Sequence, residues 1–381
     1  MATLFNKLRW SWPWMARYPW WRSMELLSRL NRGSQPVHLI VIVANHFEPS
    51  WSPHGGCLSM KEQRSRLDEW HKEALITSRL VQDHDGTPFR HTPFFPAEQY
   101  DPGMLDVLAE MQANGLGEVE IHLHHGIEKH DTPENLRKVL TEFRDTLAER
   151  HKCLSRLDGQ GQPRYGFVHG NLALANSAGG QACGVDEEME ILAETGCYAD
   201  FTLPAVNHPA QVRKFNAIYQ CGYPLNERAP HRSGKNLSVN GADTLPIIVT
   251  GPIVLDWRRR PQRYHVPRVD DGVLTSNYLL DTYRVQLWRD ANITVEGRPD
   301  WVFVKLYCHG FFVGDQEATI GEPVRRAWNE ILEWAEQYQR FKIHFASARE
   351  SVNIALAAVH GKQGNPHEYR NYYFKPILDS R

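Results

Sequence analysis

The stretch His38-Leu-Ile-Val-Ile-Val-Ala-Asn-His46-Phe-Glu48 decides how this chain is read. A short apolar run of this kind predicts a β-strand. Side chains alternate along a strand, so His46 and Glu48 share one face at its C-terminal end. Asn45 and Phe47 take the other face. The residue types on the first face, imidazole and carboxylate, are those that hold metals or move protons.

Outward from this stretch the pattern repeats. Strands are expected at 91–95, 118–124, 165–169, 198–203, 246–251, 301–308 and 343–347. Helices are expected between them: one after Asp101-Pro102, one opening at Thr132-Pro133, and others over about 185–195, 322–340 and up to Gly361. Pro133 suits the first turn of a helix. Alternating strands and helices predict an α/β fold with a parallel sheet. About eight strands after residue 36 suit a distorted (β/α)7–8 barrel with long loops. A doubly wound sheet is the competitor, weakened by the lack of a glycine-rich phosphate loop after the first strand. The expected division is an N-terminal extension over 1–35, a barrel over 36–360 and a C-terminal tail over 361–381.

Composition narrows the function. The chain has 381 residues, 43 Lys and Arg against 45 Asp and Glu, a net charge of −2, and 19 His. That balance gives no global attraction to nucleic acid. Mean hydropathy is −0.51, and no apolar run approaches the roughly 18 residues a membrane span needs. The six cysteines form no CxxC and match no zinc or disulfide framework, so free thiols in a reducing, cytoplasmic setting are expected. Residues 1–35 differ from the rest. They hold Trp10, Trp12, Trp14, Trp20 and Trp21, with six Lys or Arg against the single acid Glu25. Such a segment suits peripheral contact with the inner face of a membrane. The alternative is that its Trp side chains pack on the main domain.

Strand phase sorts the histidines. In 118–124, His122 and His124 share a face with Glu118 and Glu120. In 301–309, His309 shares a face with Phe303, Lys305 and Tyr307. In 166–171, His169 and Asn171 share one. Four strands thus end in His on a common inward register, with Glu48 beside them. His-x-Glu and His-x-His deliver two ligands each to one point, the usual make-up of a catalytic zinc site, although other divalent metals fit. The expected ligands are His46, Glu48, His122 and His124. His125, next in sequence, is an outer ligand or a supporting group. Asp200 with Thr202, Glu350, and the aromatics Trp51 and Tyr100 are weaker candidates, each with an ordinary packing or hydrogen-bonding alternative. Arg258, Arg259, Arg260, Arg263 and Arg268 form a basic patch or a solvated loop.

Several segments carry a resemblance. They are Val43-Ala-Asn-His-Phe-Glu-Pro49, Glu120-Ile-His-Leu-His-His-Gly126, Gly166-Phe-Val-His-Gly-Asn171, Cys197-Tyr-Ala-Asp-Phe-Thr-Leu-Pro204 and Phe303-Val-Lys-Leu-Tyr-Cys-His-Gly310. In order and spacing the chain resembles the polysaccharide deacetylases of the glycoside hydrolase/deacetylase barrel superfamily, and a bacterial subgroup most of all. The resemblance implies a distorted barrel, a divalent metal and removal of an N- or O-acetyl group from a carbohydrate or glycan precursor. The chain also departs from the family pattern. Where the family has two adjacent Asp, this sequence has His46 and Glu48. The paired-His motif falls at His122–His125 with altered spacing. The late Leu-x-His motif, whose His is the family's acid, falls at Leu306–His309, one residue longer.

Together these readings give an expected mechanism. Glu48 is a fourth ligand or the general base, Lys305 steadies the oxyanion, and His309 or His169 protonates the leaving group. The alternative for Lys305 is a salt bridge to Glu118 or Glu120. Two other functions remain open: a glycosidase, with Glu48 and Asp200 as its carboxylate pair, and a non-catalytic carbohydrate-binding or polysaccharide-assembly protein.

Overall fold

The structure, a computed structural model, describes residues 4–30, 36–52, 56–258, 267–312, 314–338 and 341–378. Two helices open the chain, α1 (Leu4–Met15) and α2 (Tyr18–Leu30). The body then runs β1 (Val37–His46), α3 (Met60–Leu80), β2 (Thr92–Pro96), α4 (Pro102–Ala113), β3 (Glu120–Leu123), α5 (Pro133–Asp145), β4 (Ser155–Leu157), β5 (Gln160–His169), α6 (Glu188–Thr195) and β6 (Cys197–Asp200). It continues with β7 (Ile218–Gln220), β8 (Ile247–Val249), β9 (Val254–Asp256), β10 (Arg268–Asp270), α7 (Thr282–Ala291), β11 (Trp301–Cys308), α8 (Gln316–Ile320), α9 (Glu322–Tyr338), β12 (Phe341–Phe345), α10 (Ala348–Val359) and β13 (Phe374–Pro376).

This is a mixed α/β fold around one large, mostly parallel sheet. The strand order is β11-β1-β2-β3-β5-β6-β8-β7, with β12 also paired to β1. β1 is the hub. It pairs with β11 from His38 to Asn45, with β12 along its first half and with β2 along its last three residues. Its side chains are buried on both faces from Leu39 onward, as a central parallel strand requires. All eight strand segments expected from the sequence are found here. Among the described residues no ladder joins β11 to β8. The free edge of β11 instead meets a loop, through Tyr307 N donating to Gly272 O and Leu274 N donating to Tyr307 O.

The helices start where their caps dictate. Asp101 accepts from Met104 N ahead of α4, and Thr132 accepts from Asn135 N ahead of α5, each with Pro next in sequence. Ser347 and Glu350 form a reciprocal capping box on α10. Glu350 also binds Arg90 and Arg370. It is therefore a structural carboxylate, not a site residue. Helix α3 was not expected from the sequence. Its buried stripe includes polar Gln63 and Thr77 beside Leu67, Trp70 and Ala74, so its hydrophobic period is faint.

Both chain ends pack onto this body. Trp14 is buried against Phe215 and Ile253, and Tyr18 stacks on Phe215. Trp12 and Trp20 stay 67% and 68% exposed, so the Trp-rich segment is divided between packing and solvent. Residues 1–3 and 31–35 of it lie outside the described residues. At the other end, the Asn353 side-chain amide donates to Arg370 O and Phe374 O, and β13 pairs with β4. Residues 366–376 are thereby held to the sheet. Arg259, Arg260 and Arg263 also lie outside the described residues. Arg258 pairs with Asp281, and Arg268 stacks on Tyr278. No described helix is long and apolar enough to cross a membrane.

Candidate metal centre

The C-terminal ends of β1, β3 and β11 converge on one carboxylate. Glu48 Oε1 lies 3.3 Å from His122 Nε2 and 3.5 Å from His124 Nε2. The His46 ring centroid is 5.0 Å from that of His122 and 4.8 Å from that of His309. Two sets of three ligand atoms can be drawn here, Glu48–His122–His124 and His46–Glu48–His309, each within 4.8 Å. Glu48 belongs to both. Strand phase built this cluster as expected. Asn45 and Phe47 turn away, Asn45 Oδ1 accepting from Gly310 N and Phe47 packing on Phe311.

The histidine tautomers can be deduced. A carbonyl or carboxylate oxygen only accepts. His122 Nδ1 lies 3.0 Å from Val168 O, so it carries the proton and donates. His124 Nδ1 lies 2.6 Å from Glu98 Oε1 and donates likewise. Each ring therefore turns its Nε2 toward Glu48. A neutral imidazole would set a lone pair against a carboxylate lone pair, which is repulsive. The repulsion is relieved by a proton shared between carboxylate and Nε2 or by a metal ion between the groups. Anchoring Nδ1 on an outer oxygen is how metal-ligating His is usually oriented. The donor set therefore fits a divalent metal.

The electrostatics agree with a shared cation. Burial pushes the Glu48 carboxyl up, but its partners His122 and His124 hold it well below the usual carboxylate range. Burial opposes charge on His124, yet Glu48 and Glu98 raise it to about 9. Burial, with His309 and His122 adjacent, drives His46 well below its ordinary value. Burial also lowers His309, against the pull of Glu48. Gly170 lets the His124 ring settle here, since a Cβ at that position would lie 2.3 Å from His124 Cδ2. Phe312 stacks on His309 and in turn on Trp51 at 3.8 Å between centroids. A cleft of about 690 Å³ opens beside His124, His125, Glu98 and Asp131.

Two residues placed with this cluster by sequence belong elsewhere. His125 and His169 stand together, with ring centroids 4.8 Å apart, beside Cys183 and Glu188. Alternation along the chain turns His125 away from His124, toward Asp131 and Glu188. His169 ends β5 and faces Glu188. The ligand atoms of His125 and His169 group with Cys183 and Glu188, apart from the two sets around Glu48.

Lys305 is buried, and its Nζ donates to Leu203 O at 3.0 Å. Burial lowers it to about 7, opposed by Asp200 and Asp271. It pairs with neither Glu118, which binds Arg349, nor Glu120, which holds Gly166 N and the Tyr198 hydroxyl. Asp200 accepts from Thr202 Oγ1 at 2.6 Å, and Thr202 Oγ1 accepts from His169 N. Tyr100 is occupied with His151. Sequence reasoning missed Glu98, Asp131, Cys183 and Glu188. Glu98 lies just past the end of β2, where the rule that found Glu48 would have found it. The others sit in loops or at a helix start, where no periodicity marks them.

No protein-family model matches this chain, and no curated protein matches it.

Proposed function

We propose that the protein is a metal-dependent hydrolase that removes acetyl groups from a carbohydrate or glycan precursor. The observation that carries this reading is the convergence of four imidazoles on Glu48, with the Nδ1 atoms of His122 and His124 anchored outward. Glu48, His122, His124 and His46 would hold a divalent cation, zinc first among those that favour imidazole and carboxylate. Such a cation supplies Lewis acidity, polarising a carbonyl oxygen and acidifying water.

The chain's own residues do the rest. His309 stands beside His46 and is fixed by its stack on Phe312. It takes the proton from the attacking water and returns it to the departing sugar nitrogen or oxygen. Glu98 keeps the His124 proton on Nδ1. Trp51, stacked on Phe312, has its outer face suited to the apolar face of a sugar ring. Lys305 donates to Leu203 O, and its remaining N–H donors are free for the oxyanion role that the sequence suggested. The resemblance in the five segments quoted above supports the acetyl substrate. It also supports a sheet curled into a distorted (β/α) barrel, as does the close approach of Gly251 to the Lys305 carbonyl.

For the glycosidase alternative the second carboxylate would be Asp200, which is buried and accepts from Thr202 Oγ1. Acetate release from N- and O-acetylated oligosaccharides tests the reading. The expected result is metal-dependent release that is abolished in Glu48→Gln. No release with any acetylated glycan, from a protein that holds metal at this site, would favour a binding or assembly role.

The N-terminal helices extend the proposal. Phe5, Leu8, Trp12, Trp20, Met24 and Leu27 are exposed, and Lys7, Arg9 and Arg17 are exposed among them. Aromatic and apolar side chains mixed with cations suit an anionic lipid surface. This would hold the enzyme near a membrane-borne glycan on the cytoplasmic side.

A further inference from the structure

We propose that His125, His169, Cys183 and Glu188 form a second metal site, a closed four-ligand site for a thiophilic divalent cation of the zinc type. It is independent of the Glu48 cluster and of any activity there. All four side chains are buried, and their ligand atoms lie within 4.8 Å of one another. His125 Nε2 is 3.3 Å from Glu188 Oε1, Cys183 Sγ is 3.4 Å from Glu188 Oε2, and His169 Nε2 is 3.8 Å from Glu188 Oε2. Bonds of about 2.0–2.3 Å in a tetrahedron place neighbouring donors roughly 3.3–3.8 Å apart. The three contacts to the Glu188 carboxylate fall in that range, and all four donors lie within 4.8 Å of one another, so a small contraction would close the site.

Two further observations point to a ligand. His125 Nδ1 lies 3.0 Å from Asp131 Oδ2. That oxygen only accepts, so Nδ1 donates and Nε2 faces Glu188. This is the carboxylate–histidine arrangement that orients metal ligands. His169 Nε2 is buried and has no hydrogen-bond partner, and it is aimed at the same carboxylate. A thiol in the set selects zinc-like cations over magnesium or calcium. Thiolate and carboxylate together would balance a 2+ charge.

The loops are built to close here. Gly126 has φ +66°, and a Cβ there would lie 1.9 Å from Cys183 O. Asp131 N donates to that same carbonyl, and Ala175 N donates to Glu188 Oε2. The site therefore ties the segments around 126–131 and 172–188 together. Because His124 and His125 are consecutive, it also braces the backbone that presents His124.

The competing state of the same residues is an ion pair. Burial opposes charge on His125, but Glu188 and Asp131 raise it to about 12. Burial also raises the Cys183 thiol. Metal binding must then displace two protons, the His125 Nε2 proton and the Cys183 thiol proton. It must also place a proton on His169 Nδ1, which opens the contact from Asn171 N at 3.2 Å. With His169 neutral this only moves a proton from Nε2 to Nδ1, so net release stays at two.

The test is cobalt(II) titration of the full-length, metal-stripped protein, in the wild type, Cys183→Ser and Glu48→Gln, followed by absorption and by proton release. The expected result is a thiolate-to-cobalt charge-transfer band in the near ultraviolet, present in wild type and Glu48→Gln and lost in Cys183→Ser. Should Cys183→Ser fail to fold, His169→Gln keeps the thiol and should weaken cobalt binding at that band by about ten-fold or more. Absence of the band in wild type, or its persistence in Cys183→Ser, overturns the proposal and leaves an ion pair only. Loss of metal at the Glu48 cluster alone would leave the band unchanged, so the two readings fail separately.

Discussion

His122 holds its Nε2 3.3 Å from Glu48 Oε1 while its Nδ1 donates to the Val168 carbonyl. The carbonyl fixes the proton on the far side of the ring, so the near side meets the carboxylate as an acceptor. That relationship makes the cluster able to hold a cation. It also makes the supporting oxygens as informative as the ligands.

The first prediction concerns Glu98. Its carboxylate accepts from His124 Nδ1 at 2.6 Å and is itself no ligand. Glu98→Gln should weaken metal binding by about 10–100-fold, as loss of such outer partners does, with the fold intact by circular dichroism. Affinity equal to wild type in a zinc competition assay would mean that Glu98 does not orient His124.

The second concerns Gly170. A methyl group there meets the His124 ring at 2.3 Å, so ring or loop must move. Gly170→Ala should cost about 1–3 kcal/mol of stability and weaken metal binding as well. Urea unfolding and metal titration read the two effects. A variant unchanged in both would show that the ring has room to shift.

A third prediction follows from His231. It is fully buried, neither ring nitrogen has a partner, and burial with Arg232 nearby lowers it to about 3. A depressed folded value means the unfolded chain binds the proton first. The contribution is present above pH 6.5 and is lost as pH falls from 6.5 toward 3, at about 1.4 kcal/mol per pH unit. A His231→Leu variant should show a shallower fall in stability across that window. An identical slope in both proteins would mean that His231 is not buried neutral.

The fourth concerns the N-terminal helices. Full-length protein should sediment with anionic phospholipid vesicles and not with zwitterionic ones. A Trp12→Ala/Trp20→Ala double variant should lose most of that binding. Equal recovery with both vesicle types would remove the role of the cations, and no binding at all would remove the membrane contact.

The sequence revealed what periodicity encodes. The alternation in β1 and β11 placed His46, Glu48 and His309 on one side, and the structure brings them together. Phase fails where a strand ends. Alternation turns His125 away from His124, but beyond β3 it could not say that Asp131 and Glu188 would receive the ring. Cys183 carries no pattern at all, because its place depends on the turn at Gly126 and the contacts of Ala175. Helix α3 was hidden for another reason: polar Gln63 and Thr77 fill part of its buried stripe, their groups held by Leu58 O and Ile320 O.

The most direct test of the central claim is metal content per chain, measured by elemental analysis after equilibration with zinc and removal of excess. Wild type is compared with His122→Ala and Glu48→Gln, each confirmed folded. Both variants should hold one equivalent less metal than wild type. Equal metal in all three proteins would contradict the central claim, because the cation between His122 and Glu48 would then be only a proton.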